Sequence, residues 1–406
     1  MLRSNDGTAV ISGNVETSNI SCMRYLLFRM KRFCGFSVGF VFFVSGLLKL
    51  MDPVGAGLVM KEYFHFLHIG FLDFAAKPIG AAFALAEAII GAGLVTGVWR
   101  KFTARLALIL QVFFTVLTIL LVIFNPEMDC GCFGEAIHLS HMETFLKNIT
   151  ILALLLIYYI PVRYLGQTKK KKYVSFAIVT LSAVAFGSYS WMYLPMADFT
   201  AFSPGTALNG GNAQQVYESS FIYEKDGRQE TFSLDALPDT TWTFVRTETM
   251  LKSGREDGPA TISIYDGNGT YADSLLTTGR VLAVTVYNDK TLTERDWRKT
   301  EEFLDNAAQA GFRPLLISVD SDKDISGHYH SDYKAIITLN RSNGGVTYLD
   351  NGHIIRKWAQ RKLPDLKDLA TLHGEDSTDT FIGRDTSASL AFQGFLLYVF
   401  AVMLLL

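Results

Sequence analysis

The sequence predicts an α-helical membrane bundle joined to a soluble α/β domain, and two observations carry this prediction. Five apolar stretches lie within residues 1–200 and a sixth ends the chain, each close to the ~20 residues that a bilayer-spanning helix needs. The net charge is +6 over residues 1–200 and −8 over residues 201–406, so the two halves differ in kind. With 49% apolar residues the composition excludes an intrinsically disordered chain, and a net charge of −2 excludes a basic nucleic-acid-binding protein.

Six transmembrane helices are predicted from these stretches. Buried helices of a soluble protein are the alternative, but so many long apolar runs are typical of a membrane protein. The predicted spans are Phe33–Met51, Pro78–Val98, Phe102–Phe124, Phe145–Leu165, Tyr173–Leu194 and Ser389–Leu406. They divide the chain into a polar N-terminal tail (1–29), a four-helix membrane domain (30–167), a fifth transmembrane helix (168–196), an extracytoplasmic α/β domain (197–386) and a C-terminal transmembrane helix (387–406).

Lysine and arginine residues near the span ends predict the orientation. One set of loops holds twelve of them, namely Arg24, Arg29, Lys31, Arg32, Arg100, Lys101, Arg105, Arg163 and Lys169 to Lys172. The opposite set holds four, namely Lys49, Lys61, Lys77 and Lys147. Because positive residues accumulate in cytoplasmic loops, we expect a multi-pass protein of the inner membrane with a cytoplasmic N-terminus. Residues from about 195 to 386, and the loop after the third span, are then extracytoplasmic.

The segment 197–386 predicts strands and helices in alternation. The expected strands are Phe221–Glu224, Thr231–Leu234, Ile262–Tyr265, Val281–Tyr287, Phe312–Val319, Ala335–Leu339, Val346–Leu349 and Ile354–Trp358, and the expected helices are Thr293–Ala310 and Leu363–Leu372. The first two strands flank Lys-Asp-Gly-Arg, which predicts a hairpin with Gly227 in its turn. Val281–Tyr287 is apolar except for Thr285, as in a strand buried on both faces.

This order of elements, strand–helix–strand, then a hairpin and a helix, resembles a thioredoxin-like domain. The position of the thioredoxin Cys-x-x-Cys reads Tyr287-Asn-Asp-Lys290, and residues 197–386 contain no cysteine. The resemblance therefore implies the fold without its own dithiol chemistry.

Cys130 and Cys132 are the candidate reactive residues of the chain. They follow the third span in the sequence Asn125-Pro-Glu-Met-Asp-Cys-Gly-Cys-Phe-Gly134, on the side where disulfides persist. A disulfide across one residue needs a turn, which Gly131 permits, and the strain of so small a ring favours an exchangeable bond. We therefore expect a disulfide in part of the population, with the negative charges of Asp129 and Glu135 opposing thiolate formation.

Two other interpretations of these cysteines stay open. His138 and His141 follow and complete a possible four-ligand set for a metal ion, although zinc sites usually separate their cysteines by two to four residues. The two thiols could instead be structural groups in a tight turn without chemistry.

Polar side chains inside the predicted spans indicate a functional site. Glu87 lies near the middle of the second span, where a carboxyl group is costly and suggests function. Gln111 lies at a similar depth in the third span and is its expected hydrogen-bond partner. We expect Glu87 to be neutral, and Lys49 is expected either to support the site or to extend to the membrane interface.

The membrane half resembles a known family through two motifs. Gly39-Phe-Val-Phe-Phe-Val-Ser-Gly-Leu-Leu-Lys-Leu-Met-Asp-Pro53 is similar to the first-span signature of the DoxX-like superfamily. The Cys-Gly-Cys-Phe-Gly sequence, together with Glu87, resembles the MauE/DoxX redox-associated membrane proteins over about residues 33–165. The resemblance implies a bacterial, four-spanning unit of the cytoplasmic membrane. It also implies redox chemistry, since MauE is implicated in maturing methylamine dehydrogenase by supporting disulfide formation and DoxX relatives are linked to quinone-coupled sulfur oxidation.

The leading hypothesis is a membrane thiol–disulfide redox protein with Cys130 and Cys132 as its catalytic pair. The supporting residues are Gly131, Asp129, Phe133, Gly134, Glu87, Lys49 and Gln111. A membrane quinone is a possible electron acceptor by analogy with the family. The expected partners are an extracytoplasmic thiol protein or client and the lipid bilayer. The alternative is a non-enzymatic assembly factor with a redox-inactive thioredoxin-like binding domain, so the sequence leaves enzymatic activity open.

Overall fold

The computed structural model describes residues 7–126, 128–160, 168–208, 217–225, 228–233, 242–251, 262–319 and 327–405. The chain divides into two compact units. The first comprises Met1–Thr200 and Arg384–Leu406, and the second comprises Ala201–Gly383.

Six helices build most of the first unit. They are α1 (Gly7–Met51), α2 (Pro53–Phe66), α3 (Ala76–Thr96), α4 (Arg100–Phe124), α5 (His141–Tyr159) and α6 (Lys170–Met192). Among the described residues, five helices are long and apolar enough to cross a membrane: Tyr25–Met51, Gly70–Thr96, Arg100–Phe124, His141–Tyr159 and Lys170–Met192. These helices confirm the first five predicted spans, except that the last residues of the fourth, 161–165, lie outside the described residues. Helix α1 begins at Gly7 and so extends into the segment expected to be a polar tail.

The loop between α4 and α5 contains a short extended segment, β1 (Cys132–Glu135). Helix α2 was not predicted. It begins where Asp52 accepts a hydrogen bond from the Gly55 amide at 2.9 Å and where Pro53 occupies the first turn, both of which favour a helix start.

Helices α1 and α3 pack with their backbones in close contact. A Cβ atom at Gly46 would lie 2.5 Å from the Ala88 amide nitrogen, and one at Gly91 would lie 2.4 Å from the Phe43 amide nitrogen. Only glycine fits at such positions, which are typical of helix pairs in membranes. The approach brings the faces of the two helices that carry Ser45 and Glu87 together.

The second unit begins with a three-stranded antiparallel sheet. Its strands are β2 (Tyr217–Lys225), β3 (Arg228–Ser233) and β4 (Thr243–Leu251), in the order β3-β2-β4. The pairing of β2 with β3 confirms the predicted hairpin, whereas β4 was not predicted. Gly227, expected in the hairpin turn, lies outside the described residues.

A five-stranded mixed sheet forms the centre of the second unit. Its strands are β5 (Arg280–Val286), β6 (Arg313–Ser318), β7 (His328–His330), β8 (Gly345–Asp350) and β9 (His353–Trp358), in the order β7-β6-β5-β8-β9. Strands β5, β6 and β7 run parallel. Strand β8 pairs antiparallel with β5, and β9 pairs antiparallel with β8. The helices of this unit are α7 (Ser274–Thr277), α8 (Glu294–Gln309), α9 (Tyr333–Leu339) and α10 (Leu366–Gly374).

Both faces of this sheet are buried, as the apolar strand predicted. Leu282 and Val284 of β5 contact a core cluster that includes Trp297, while Val281 and Ala283 contact the opposite cluster. Alternate side chains of a strand point to opposite faces, so one strand contributes to both clusters.

Two predicted strands of this unit are wrong. Ala335–Leu339 lies in α9, because the Asp332 side chain accepts a hydrogen bond from the Ala335 amide at 2.8 Å and so starts a helix. Ile262–Tyr265 makes only isolated bridges from Tyr265. The last predicted helix begins at Leu366 rather than Leu363.

The chain ends in α11 (Ser377–Leu405). Its apolar part, Leu390–Leu404, is shorter than the five spans, so the sixth predicted span stays a prediction. Within the first unit this part contacts α6, where Ser175 Oγ donates to the Val402 carbonyl at 2.7 Å.

Candidate functional site

The candidate site surrounds the Cys-Gly-Cys loop, defined as Cys130–Gly134, between α4 and α5. Cys130 is buried with 7% of its surface exposed, and Cys132 is half-buried. Both are free thiols in the structure, so the expected disulfide stays a prediction.

Gly131 creates the turn between the two cysteines. Its φ angle is +60°, a conformation that other residues adopt only with strain. A Cβ atom there would lie 2.4 Å from Cγ1 of Val59 in α2. The predicted turn is therefore present. Both the positive φ angle and the contact with Val59 exclude a side chain at position 131.

Two side chains hold the loop by its backbone. The Tyr63 hydroxyl of α2 donates to the Cys130 carbonyl oxygen at 3.1 Å. The Ser45 hydroxyl of α1 lies 2.6 Å from the Cys132 carbonyl oxygen. The main chain on both sides of Gly131 is therefore fixed to the membrane helices.

Glu87 meets Lys49 and Ser45 rather than Gln111. Lys49 Nζ lies 2.5 Å from Glu87 Oε2, and Ser45 Oγ lies 2.8 Å from Glu87 Oε1. The expected partnership of Glu87 with Gln111 is wrong, because α3 turns the carboxyl group toward α1. Lys49 likewise does not extend to the membrane interface, since its side chain is only 15% exposed and turns inward to this pair.

Gln111 belongs to a second polar group between α4 and α5. Its Nε2 donates to the Asn148 carbonyl oxygen at 3.0 Å, and Asn148 Nδ2 donates to Thr118 Oγ1 at 2.6 Å. All three residues are buried. These bonds satisfy polar groups that would otherwise be costly in an apolar surrounding.

A cavity of about 320 Å³ connects these groups. Its walls are mostly apolar, with Val41, Phe83, Phe113 and Phe114 among them. The polar side chains that line it are Ser45, Lys49, Tyr63, Glu87, Gln111, Thr118, Lys147 and Asn148. Cys130 and Cys132 line it too, so both thiols and the Lys49–Glu87 pair border one space.

The environment of Cys130 disfavours its thiolate. Burial raises the pKa of the Cys130 thiol, and the neighbouring charge of Asp129 raises it further, as the sequence predicted. Lys147 acts in the opposite direction and stabilises the thiolate. Burial also raises the pKa of Tyr63 far above its usual value, so its hydroxyl keeps the proton that it donates to the loop.

The remaining predicted residues lie around the loop. The Phe133 ring centroid is 4.9 Å from Lys147 Nζ, and the Gly134 amide donates to the Gly131 carbonyl at 3.3 Å. Asp129 is exposed and lies 3.5 Å from Nδ1 of His138.

The alternative metal set is not assembled. His141 contacts the Asn125 side chain at 3.2 Å and the Met128 carbonyl oxygen at 3.0 Å instead of the cysteines. Across the described parts of the chain, no three His, Cys, Asp or Glu side chains are grouped so that they could hold a metal ion.

A family model matches the region that contains this site. Residues 25–161 match the family described as methylamine utilisation protein MauE. This stretch, called the MauE-like region below, covers a third of the chain. A second model, a domain of unknown function named DUF8463, matches residues 217–253. Neither a curated protein nor a solved structure is similar enough to count as a match.

The MauE-like region contains every residue that lines the cavity. Together with the five apolar helices, the match indicates a multi-pass membrane protein.

Sequence reasoning missed four residues of this site: Ser45, Tyr63, Lys147 and Asn148. Ser45 lies one helical turn before Lys49, so a search for polar residues at helical spacing could have found it. Asp52-Pro53 is a helix-start signal that predicts α2 and hence a position for Tyr63.

Proposed function

We propose that this chain is a membrane thiol–disulfide redox protein whose catalytic residues are Cys130 and Cys132. The observation that carries the proposal is that both thiols border the same cavity as the Lys49–Glu87 pair. A purely structural turn needs neither a cavity nor buried ionisable groups beside it. Such groups cluster at functional sites because burying them is costly.

The reaction is a two-electron exchange. A thiolate of the partner protein attacks the Cys130–Cys132 disulfide, forms a mixed disulfide and releases one thiol; the partner's second thiolate then resolves it. The partner gains a disulfide, and Cys130 and Cys132 become thiols. Cys132 is the more exposed and is proposed to meet the partner, whereas Cys130 is buried.

Reoxidation of the two thiols passes two electrons and two protons to an acceptor. A membrane quinone, reduced to the hydroquinone, is proposed by analogy with DoxX relatives. The size of the cavity and its aromatic walls support a flat, lipid-soluble molecule of this kind.

The reaction is proposed to occur on the extracytoplasmic side of the inner membrane. The twelve positive residues in one set of loops against four in the other support a cytoplasmic N-terminus. Residues from about 195 to 386, and the Cys-Gly-Cys loop, then face an oxidising compartment where disulfides persist.

The second unit is proposed to be a thioredoxin-like domain that docks a client or partner protein. The strand order β6-β5-β8-β9, with α8 between β5 and β6, supports this fold. Asn343 occupies the loop at Tyr287–Lys290: its Oδ1 accepts from the amides of Tyr287 and Asn288 at 2.9 and 3.2 Å. The Asn343 side chain thus fixes the backbone of this loop, which supports binding rather than redox chemistry in this unit.

A non-enzymatic assembly factor is the second candidate. The closed, cysteine-free loop of the second unit favours it, as does the accessory role suggested by the MauE family. In this candidate the two thiols would only stabilise the turn around Gly131.

Trapping of mixed disulfides in living cells separates the two candidates. In a Cys130→Ser or Cys132→Ser variant the remaining thiol cannot close its own disulfide, so a redox protein should accumulate covalent adducts with its partner that reducing agent releases. The matched control is Cys34→Ser, a buried thiol of α1 away from the loop. Adducts in neither loop variant would contradict the redox proposal and favour the assembly factor.

A further inference from the structure

The Thr144 hydroxyl of α5 is a buried donor that its own helix does not use. Thr144 is 1% exposed, and within the described parts of the chain its Oγ1 makes no hydrogen bond. Four other threonines of the membrane helices donate to the carbonyl oxygen four residues earlier, at 2.6–2.8 Å: Thr96, Thr115, Thr118 and Thr150. Burying a hydroxyl without an acceptor is costly, so the spare donor of Thr144 indicates a role in the site.

The Cys130 thiol is the neighbour of this hydroxyl. Burial is the largest influence on the pKa of Cys130 and raises it, whereas a hydrogen bond from Thr144 and the charge of Lys147 lower it. Thr144 and Lys147 are three residues apart in α5 and so lie on one side of the helix. A capping box of Ser140 and Glu143 fixes the start of α5 and with it the position of both groups.

The remaining ionisable groups around Cys130 do not take the place of Thr144. They are Asp129 and Cys132 of the same loop, Tyr63 of α2, Lys49 of α1 and Glu87 of α3. The first two raise the pKa of Cys130. The Tyr63 hydroxyl donates to the Cys130 carbonyl oxygen, and Lys49 is paired with Glu87. Thr144 and Lys147 are therefore the groups that favour a negative charge on the Cys130 sulfur.

We propose that Thr144 is a further catalytic residue, whose hydroxyl donates a hydrogen bond to the Cys130 sulfur when the Cys130–Cys132 disulfide is broken. This inference rests on the proposed thiol–disulfide function. The partner's thiolate attacks the more exposed Cys132, a bond forms between those two sulfurs, and the electron pair of the broken bond stays on Cys130. Cys130 is thus the leaving sulfur, and Thr144 and Lys147 stabilise its buried thiolate.

The second half of the exchange restores the charge balance. The partner's second thiolate attacks its own sulfur in the mixed disulfide, and Cys132 leaves as a thiolate. The two protons that the partner's thiols gave up balance the two that Cys130 and Cys132 take up. The partner is oxidised by two electrons, and the disulfide of this chain is reduced by the same two.

The test measures the pH at which Cys130 becomes a thiolate in the reduced full-length protein. The protein in detergent reacts with iodoacetamide over a range of pH, and mass spectrometry gives the alkylation rate at each cysteine separately. Because the thiolate is the reacting form, the midpoint of the rate profile follows the stability of the charged sulfur. A change that only alters access to the thiol would scale the rate equally at every pH and leave the midpoint in place.

Thr144→Val keeps the side-chain volume and removes the donor. The midpoint for Cys130 should rise by about one pH unit, as expected for the loss of one hydrogen bond to a charged group. Thr144→Ser keeps the hydroxyl and should leave the midpoint close to that of the wild type. Thr150→Val is the matched control, because Thr150 also belongs to α5 and its hydroxyl donates to the Leu146 carbonyl oxygen. Thr144→Ala should give the same rise and serves if valine prevents folding.

A midpoint that is unchanged in Thr144→Val and Thr144→Ala would overturn the proposal. So would a Thr144→Ser variant that shifts as far as Thr144→Val, because then the hydroxyl does not matter. The measurement needs neither a partner nor a disulfide, so its outcome is separate from that of the trapping experiment. Trapped adducts without a shift here would reject Thr144 and keep the redox function, whereas a shift without adducts would reject the redox function and the catalytic role with it.

Discussion

At the scale of single residues, Gly131 determines the shape of the candidate site. Two independent terms exclude a side chain there: the positive φ angle of +60° and the distance of only 2.4 Å that would separate a Cβ atom from Val59. The φ angle and the Val59 contact both concern the turn that separates the two thiols. A substitution of Gly131 therefore changes the position of the thiols more than the packing of the helices.

We expect Gly131→Ala to destabilise the protein by ~1–3 kcal/mol, the range found for strained backbone positions. Thermal unfolding in detergent measures the change. Val59→Ala in the same chain should recover part of the loss, since it removes the contact but not the strain in φ. Gly394→Ala is the matched control, because a Cβ atom there meets nothing within 4 Å. Equal stability of Gly131→Ala and the wild type would contradict this account.

Glu87 is the second residue whose substitution discriminates between interpretations of the site. Glu87→Gln keeps hydrogen bonding to Lys49 and Ser45 but removes the negative charge, so membrane abundance should fall less than in a variant that also places a positive charge there. Glu87→Lys would bury two ammonium groups together and should lower abundance strongly, since an unpaired buried charge costs ~3–5 kcal/mol. Quantitative immunoblotting of membranes measures both.

The double variant Lys49→Glu, Glu87→Lys tests whether the site needs only a pair of opposite charges or needs each charge at its own position. It restores an opposite-charge pair and should recover part of the lost abundance. Failure of Glu87→Gln to accumulate would instead show that the ionised pair with Lys49 is required.

At the scale of elements, the Asn343 side chain fixes the loop after β5, which contains no cysteine. Besides accepting two amide bonds, Asn343 donates through Nδ2 to the Asn288 carbonyl at 2.6 Å and to Thr291 Oγ1 at 2.9 Å. One carboxamide therefore satisfies four polar groups at the end of the sheet. The loop is held in one conformation that a partner could recognise.

We expect Asn343→Ala to speed amide hydrogen exchange at Tyr287 and Asn288, because both amides lose their acceptor. Asn343→Asp keeps an acceptor for these amides and loses only the donated bonds, so exchange there should change less. Mass spectrometry of the full-length protein gives the comparison. Unchanged exchange in the alanine variant would mean that the carboxamide does not hold the loop.

At the scale of the whole molecule, orientation decides whether the cysteines can be oxidised. The charge bias between the two sets of loops is the only basis for the proposed topology. A reporter enzyme that is active only in the oxidising compartment should therefore be active when it is fused after Pro204. The same reporter fused after Thr168, in the positively charged loop between α5 and α6, is the control and should be inactive. The opposite pattern would place Cys130 and Cys132 in a reducing compartment.

Much of the architecture followed from local properties of the sequence. The five confirmed spans depend on apolar run length, and the turn at Cys130–Cys132 depends on one glycine. The antiparallel hairpin of β2 and β3 and the cap of α8 at Thr293 are also local signals, since the residues concerned are neighbours in the chain. The strand predicted at Ala335–Leu339 failed because a cap at Asp332 outweighed β propensity.

The sequence by itself therefore determined that the protein has apolar helices, a soluble α/β part and a pair of thiols after the third predicted span. Only the tertiary structure decided which polar groups meet. Glu87 faces Lys49 and Ser45 instead of Gln111 because glycines let α1 and α3 approach and set their rotation. That rotation depends on packing between segments far apart in sequence, which no local pattern encodes, and it is what joins the buried carboxyl group to the backbone of Cys132.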